Sequence, residues 1–168
     1  MREILILNTG GTFNKRYNPI KGELEVPSDS KAIESITKHF HNSKITIKNI
    51  IHKDSLEFND KDREILSNEI KHSKTPYILI IHGTDTMDLS AKYIDGKIKE
   101  KIVVFTGAMV PLSIDSTEAV SNFSMSFGFL LTCKEKGIYI GMHGIVKEYK
   151  KIYKNRKLGI FEMREDNS

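Results

Sequence analysis

A single cysteine, Cys133, in 168 residues leaves no partner for an internal disulfide, which suits a reducing compartment. It follows Leu130-Leu131 and reads as a small core residue rather than a nucleophile. No apolar stretch approaches the length of a membrane helix, and Met1-Arg2-Glu3 runs straight into a strand-like segment without a secretory apolar region. These absences point to a cytoplasmic protein with no membrane partner. Repeats, low-complexity tracts and interdomain linkers are missing too, and the length suits one well-buried core, so residues 1–168 are expected to form one domain. Neither charge sign dominates: 26 basic residues stand against 22 acidic, a net charge of +4. The surplus gathers at Lys147, Lys150, Lys151, Lys154, Arg156 and Lys157. No RNA- or DNA-binding signature accompanies it, which argues for a solvated segment over a nucleic-acid partner.

What is present alternates. Apolar, β-branched runs at Ile4 to Leu7, Ile45 to Ile51, Tyr77 to Ile81, Ile102 to Phe105 and Ile138 to Met142 each end near Gly, Asn, Asp or Thr and read as strands. Between them lie segments of helical period: Ala32 to Phe40 (Ile33, Ile36, Phe40), Asp60 to His72 (Ile65, Leu66, Ile70), Thr86 to Ile94 (Met87, Ala91, Ile94) and Glu118 to Leu131 (Ala119, Phe123, Phe127, Leu130). Pro27-Ser28-Asp29 and Asn59-Asp60 supply helix starts. Strands joined by helical crossovers pair in parallel, so the expected fold is α/β, a doubly wound, flavodoxin-like, mainly parallel sheet with helices on both faces. Lys15 to Val26 and Val146 to Lys157 lack a clear period and are expected to be mobile loops beside a crevice.

Two glycine-threonine turns follow the first and third of these strands: Thr9-Gly10-Gly11-Thr12-Phe13 and His82-Gly83-Thr84-Asp85-Thr86-Met87. Carboxyl ends of neighbouring parallel strands share one crevice, and glycine there lets backbone N–H groups approach a ligand. The first turn lacks the third glycine of a dinucleotide site and the Gly-Lys-Ser/Thr of a P-loop, so phosphate binding fails on spacing. Paired hydroxyls, a carboxylate and free amides suit a nucleophile and its charge-stabilising frame instead. Thr12 needs a base, and Tyr17 is the nearest candidate, in a loop whose Lys15 and Arg16 bring positive charge; an ordinary surface aromatic is the plainer reading. Asp85, directly after a buried strand, either caps the next helix or holds a cation. His82 has no HExxH or carboxylate-histidine cluster around it, so no metal is expected and a core histidine is the better reading.

Three blocks make the chain resemble the bacterial-type L-asparaginases, in a short form limited to their N-terminal domain: Thr9 to Phe13, His82 to Met87, and Thr106-Gly107-Ala108-Met109-Val110-Pro111. Long family members carry a second, smaller domain that supplies a substrate-binding acid to a neighbouring subunit, and the expectation from the 168 residues is a short form without it. The resemblance implies that Thr12 is the acylated nucleophile, Tyr17 its proton acceptor, Thr84 the second catalytic threonine and Asp85 the carboxylate that holds the substrate α-amine. Asp54-Ser55-Leu56-Glu57-Phe58 is similar to the family's substrate loop, which makes Ser55 a contact for the α-carboxylate. Alignment of Gly137 to Met142 with the corresponding family strand puts Lys154 at the lysine of the second triad. Glu118, in place of the usual Asp, and Asn122 match the segment after the third block.

The implied activity is cofactor-free hydrolysis of L-asparagine by double displacement, with amides around Gly11, Thr84 and Ala108 forming the oxyanion site. A glutaminase or tRNA-linked amidase, and a module that binds asparagine or aspartate without turnover, remain as alternatives. A homo-oligomer is expected, because the missing second domain leaves faces that another subunit would cover.

Overall fold

The structure, a computed structural model, describes residues 1–165. Among them run β1 (Arg2–Gly10), β2 (Arg16–Asn18), β3 (Glu23–Glu25), α1 (Lys31–Thr37), β4 (Ser43–Lys53), α2 (Asp60–His72), β5 (Tyr77–Ile81), α3 (Met87–Ile94), β6 (Ile102–Thr106), α4 (Ser116–Thr132), β7 (Gly137–Met142), β8 (Ile145–Glu148), β9 (Ile152–Asn155) and β10 (Ile160–Met163). Six strands form the main sheet in the order β4-β1-β5-β6-β7-β8. The first five are parallel and β8 is antiparallel to β7. This is the doubly wound arrangement expected from the alternation of periods.

The central stretches of β1, β5 and β6 (Ile4 to Leu7, Ile78 to Ile81 and Ile102 to Phe105) are apolar on consecutive residues because both faces are covered. Ile4 and Ile6, Leu79 and Ile81, and Ile102 and Val104 point to one face, where Ile33 and Ile36 of α1 and Ala119, Phe123, Phe127 and Leu130 of α4 meet them. Leu5 and Leu7, Ile78 and Ile80, and Val103 and Phe105 point to the other, against Leu66 and Ile70 of α2 and Met87, Ala91 and Ile94 of α3. Edge strand β4 alternates instead, with only Ile51 fully buried. Asn59 caps α2 with a complete capping box through Asp62.

Two expectations need correction. Ile65 does not face the core: it is 46% exposed, because Leu66 and Ile70, one helical turn apart, set the buried stripe of α2 and a neighbour is rotated by about 100° from it. The supposed loops are also structured. Residues 16 to 25 form the antiparallel hairpin β2–β3. Residues 145 to 163 form β8, a 3-10 turn over Tyr149–Lys151 and a second hairpin, β9–β10. Each strand of these hairpins is three or four residues long and carries charges, so none shows a sustained apolar period.

Connections run from β1 outward to β4 on one side, while β5, β6 and β7 follow on the other. The winding reverses between β1 and β5, and the crevice outside the carboxyl ends of two such strands is where doubly wound folds bind ligands. Both glycine-threonine turns open there. Thr9 ties the two strand ends together by donating its hydroxyl to the Ile81 carbonyl at 2.7 Å.

Candidate active site

Glycine lets three turns interlock at this crevice. A Cβ on Gly11 would lie 2.6 Å from the Cα and N of Gly83, and a Cβ on Gly83 would lie 2.5 Å from the Cβ of Ser55. Gly11 also sits at φ +74°, which disfavours any larger residue. The first turn is held by its Gly11 N–H, which donates to the Lys53 carbonyl at 2.9 Å, and by the buried Asn14 amide, which donates to the Gly10 carbonyl at 2.7 Å. The third block completes the wall: His82 N–H donates to the Thr106 carbonyl at 2.9 Å, and Gly107 passes close to His82 O. Thr12, Ser55, Thr84 and Ala108 thus border one another through their turns, although they are far apart along the chain.

The second turn carries a charged cluster. The Lys154 ammonium donates to Thr84 Oγ1 at 2.9 Å and to Asp85 Oδ1 at 2.8 Å. The Thr84 hydroxyl in turn lies 3.3 Å from Met109 Sδ. Arg156 closes the cluster from outside, its guanidinium donating to Asp85 Oδ1 at 2.8 Å and to the Asp85 carbonyl at 2.7 Å. Asp85 therefore holds cations rather than capping α3, whose N-cap is Thr86 and whose start has no side-chain cap. Hydrogen bonding from Lys154 holds the Asp85 carboxyl below its ordinary range against an opposing push from partial burial, with Arg156 adding to the same effect.

Lys154 reaches Thr84 because the β9–β10 hairpin is pinned. Phe161, the cross-strand partner of Lys154, donates its backbone N–H to His143 Nδ1 at 3.1 Å. The other ring nitrogen of His143 is 2.9 Å from Glu118 Oε1, so the neutral ring carries its proton on Nε2. Glu118 also accepts from the N–H groups of Met109 and Val110, at 2.8 and 3.0 Å. Asn122 accepts from His143 N–H at 2.9 Å and donates to the Gly107 carbonyl at 3.0 Å. His143 sits at φ +50° and Gly144 at φ +85° in the two-residue turn between β7 and β8, a geometry of the I′ type. One ring thus links the third block to the hairpin that presents the lysine.

His82 is fully buried, with Nδ1 2.9 Å from the Gly83 carbonyl and Nε2 2.8 Å from Ser90 Oγ. Phe58 and Phe105 flank its ring. Burial pushes its pKa down from 6.5 to about 4. The unfolded chain then binds a proton below pH 6.5 that the folded chain refuses until about pH 4, so His82 stabilises the fold fully above pH 6.5 and loses that contribution as pH falls toward 4. The loss amounts to about 3 kcal/mol. Denaturant unfolding across this window should show it, and a His82→Gln variant should have a visibly flatter pH dependence over the same range. Equal slopes would refute the assignment.

Of the residues named from sequence, Thr84, Asp85 and Lys154 are in direct contact. Thr12 is half-buried at the start of a 3-10 turn, and its hydroxyl has no protein partner among the described residues. Tyr17 stands apart: it is 63% exposed, and no hydrogen bond joins it to Thr12. The cations beside it are engaged elsewhere, Lys15 with Asp54 at 2.8 Å and Arg16 with Asp29 at 2.6 Å. Ser55 Oγ is buried without a hydrogen-bond partner among the described residues, next to Gly83. The N–H groups of Thr12, Thr84 and Ala108 likewise have no protein acceptor among the described residues, whereas that of Gly11 is engaged. Arg156 and His143 are additions from the structure. Only the His143-Gly144 pair, a turn signal between two apolar runs, hinted at either. No group of three or more His, Cys, Asp or Glu suited to a metal occurs among the described residues, nor does a helix long and apolar enough to cross a membrane.

The N-terminal asparaginase family model matches residues 3–162. No curated protein matches the sequence. Among solved structures, the thermostable L-asparaginase from Thermococcus kodakarensis is similar at a TM-score of 0.85 and 23% identity, over 98% of this chain and 52% of that one. A probable cytoplasmic L-asparaginase from Campylobacter jejuni is similar at 0.81 and 22% identity, over 98% and 54%. The chain spans about half the length of these two structures.

Proposed function

The chain belongs to the asparaginase family, and from that premise we propose that it hydrolyses the side-chain amide of L-asparagine to aspartate and ammonia. The observation that carries this reading is the Lys154–Thr84–Asp85 contact set beside the turn bearing Thr12. A binding module needs neither a free threonine hydroxyl nor a lysine held against a second one.

In the first displacement Thr12 Oγ1 attacks the amide carbon, its proton passes by way of Tyr17 to the leaving nitrogen, and ammonia departs as the C–N bond breaks and the acyl-threonine ester forms. Tyr17 has to turn inward from its exposed place on β2 to do so. The N–H groups of Thr12, Thr84 and Ala108 are the free donors for the oxyanion, each worth roughly 3 kcal/mol in a well-formed site. Gly11 acts by permitting the close approach, because its own N–H is engaged by Lys53. Ser55, with its unpartnered hydroxyl, receives the α-carboxylate, and Asp85 the α-ammonium. In the second displacement water attacks the acyl-threonine ester with Thr84 and Lys154 assisting, and aspartate departs as Thr12 recovers its proton. No cofactor enters either step. A cytoplasmic homo-oligomer belongs to the same reading.

One observation favours a second assignment within this chemistry: the Lys154 ammonium touches Thr84, not Thr12, so Thr84 would be the nucleophile. Quenched-reaction mass spectrometry separates the two by locating the acyl group on the Thr12 or the Thr84 peptide. The function itself is tested by ammonia release from asparagine and glutamine on the intact protein. Asparagine should be preferred by roughly tenfold or more, since an added methylene displaces the amide from the nucleophile. A preference for glutamine would make the protein a glutaminase or related amidase; tight binding without ammonia from either would make it a sensor.

A further inference from the structure

Arg156 binds the carboxylate to which the proposed reading brings the substrate ammonium. It sits at the tip of the β9–β10 hairpin, where Asn155 fixes the turn by accepting from the N–H groups of Lys157 and Leu158 at 3.2 and 3.3 Å and from Gly159 N–H, through its backbone carbonyl, at 2.8 Å. From there the guanidinium reaches both Asp85 Oδ1 and the Asp85 carbonyl. Lys154 already neutralises the same oxygen and, with its side chain 12% exposed, cannot leave; Arg156, at 60%, can rotate into water. Both cations share Oδ1, so a substrate ammonium arriving at Oδ2 would be the third cation on one carboxylate and would compete with the guanidinium for its charge.

We propose that Arg156 is a specificity-determining residue, a displaceable counter-ion of Asp85 that competes with the α-ammonium of amino-acid substrates and leaves ligands without that ammonium untouched. The proposal rests on the asparagine reading and deepens it: wild-type affinity for α-amino acids is set below what the pocket would otherwise give. Exposed ion pairs are weak and screened by salt, while two hydrogen bonds from one guanidinium strengthen them, so the penalty amounts to about 3- to 10-fold in affinity.

The test compares L-aspartate with succinate, the same diacid without the amine, by titration calorimetry on the wild-type protein and on Arg156→Gln. L-aspartate should bind the variant about 3- to 10-fold more tightly, by the argument just given, and succinate should change by less than about twofold. A gain shared equally by both ligands, no change for aspartate, or weaker aspartate binding each overturns the proposal; the last would make Arg156 a carboxylate ligand. Ammonia release from asparagine on the same two proteins keeps the failures apart. Turnover with an unchanged aspartate affinity removes the counter-ion role alone, whereas neither turnover nor aspartate binding in either protein removes the function as well.

Discussion

Thr12→Ala should abolish ammonia release from asparagine, by about 10⁴-fold or more, while leaving the fold and L-aspartate binding nearly intact. The size follows from the proposed role: without the hydroxyl no acyl-enzyme would form, and what remains would be the acceleration that binding and oxyanion donors give to direct attack by water. The sparing of the fold follows from the structure. Thr12 is half-buried, and its hydroxyl has no protein partner to strand among the described residues. Thermal melting and calorimetry with L-aspartate supply the controls. A variant that turns over asparagine at the parent rate, with its melting unchanged, would remove Thr12 from the chemistry and leave Thr84 as the nucleophile to test.

Lys154→Met should cost about 10²- to 10⁴-fold in kcat, the range expected when a proton-transfer partner is removed, with a much smaller effect on stability. Methionine fills a similar volume, and Arg156 still neutralises Asp85. Thr84 would keep Met109 as its neighbour but lose the ammonium that touches its oxygen. The variant carries a second signature. Lys154 is the largest cause of the depressed pKa of Asp85, so its loss lets that carboxyl protonate at higher pH, and the acid limb of kcat/KM moves upward. An acid limb that stays in place in the variant would show that Asp85 is not the group that sets it.

Local signals carried the parts of the fold that local forces decide. Strands buried on both faces, such as Tyr77–Ile81, must be apolar at every position, and α2 announces itself with Asn59 before a helical period, so both were legible at their full extent. The short hairpins were not. Among the described residues β9 pairs only with β10, and its residues Tyr153, Lys154 and Asn155 are polar or amphipathic because one side meets a charged cluster. The two glycine-threonine turns stood out because close backbone contact admits only glycine there. Lys154 was a different matter: among six basic residues in one segment, nothing in charge or period distinguishes it, and only the family resemblance did. Arg156 and His143 owe their places to partners at Asp85 and at Phe161, 71 and 18 positions away, and no pattern along the chain records such pairings.

The interlocking of Gly11, Gly83 and Ser55 bears on how this protein acquires its chemistry during folding. Each wall of the crevice arrives on a different crossover, and the lysine lies 70 residues from the threonine it touches, so closing that loop is among the last entropic costs the chain meets. A nascent or partly refolded chain can hold most of its helices and still lack every contact of the candidate site. Recovery of turnover after denaturation therefore reports completed topology, and should trail the far-ultraviolet dichroism signal that reports secondary structure alone.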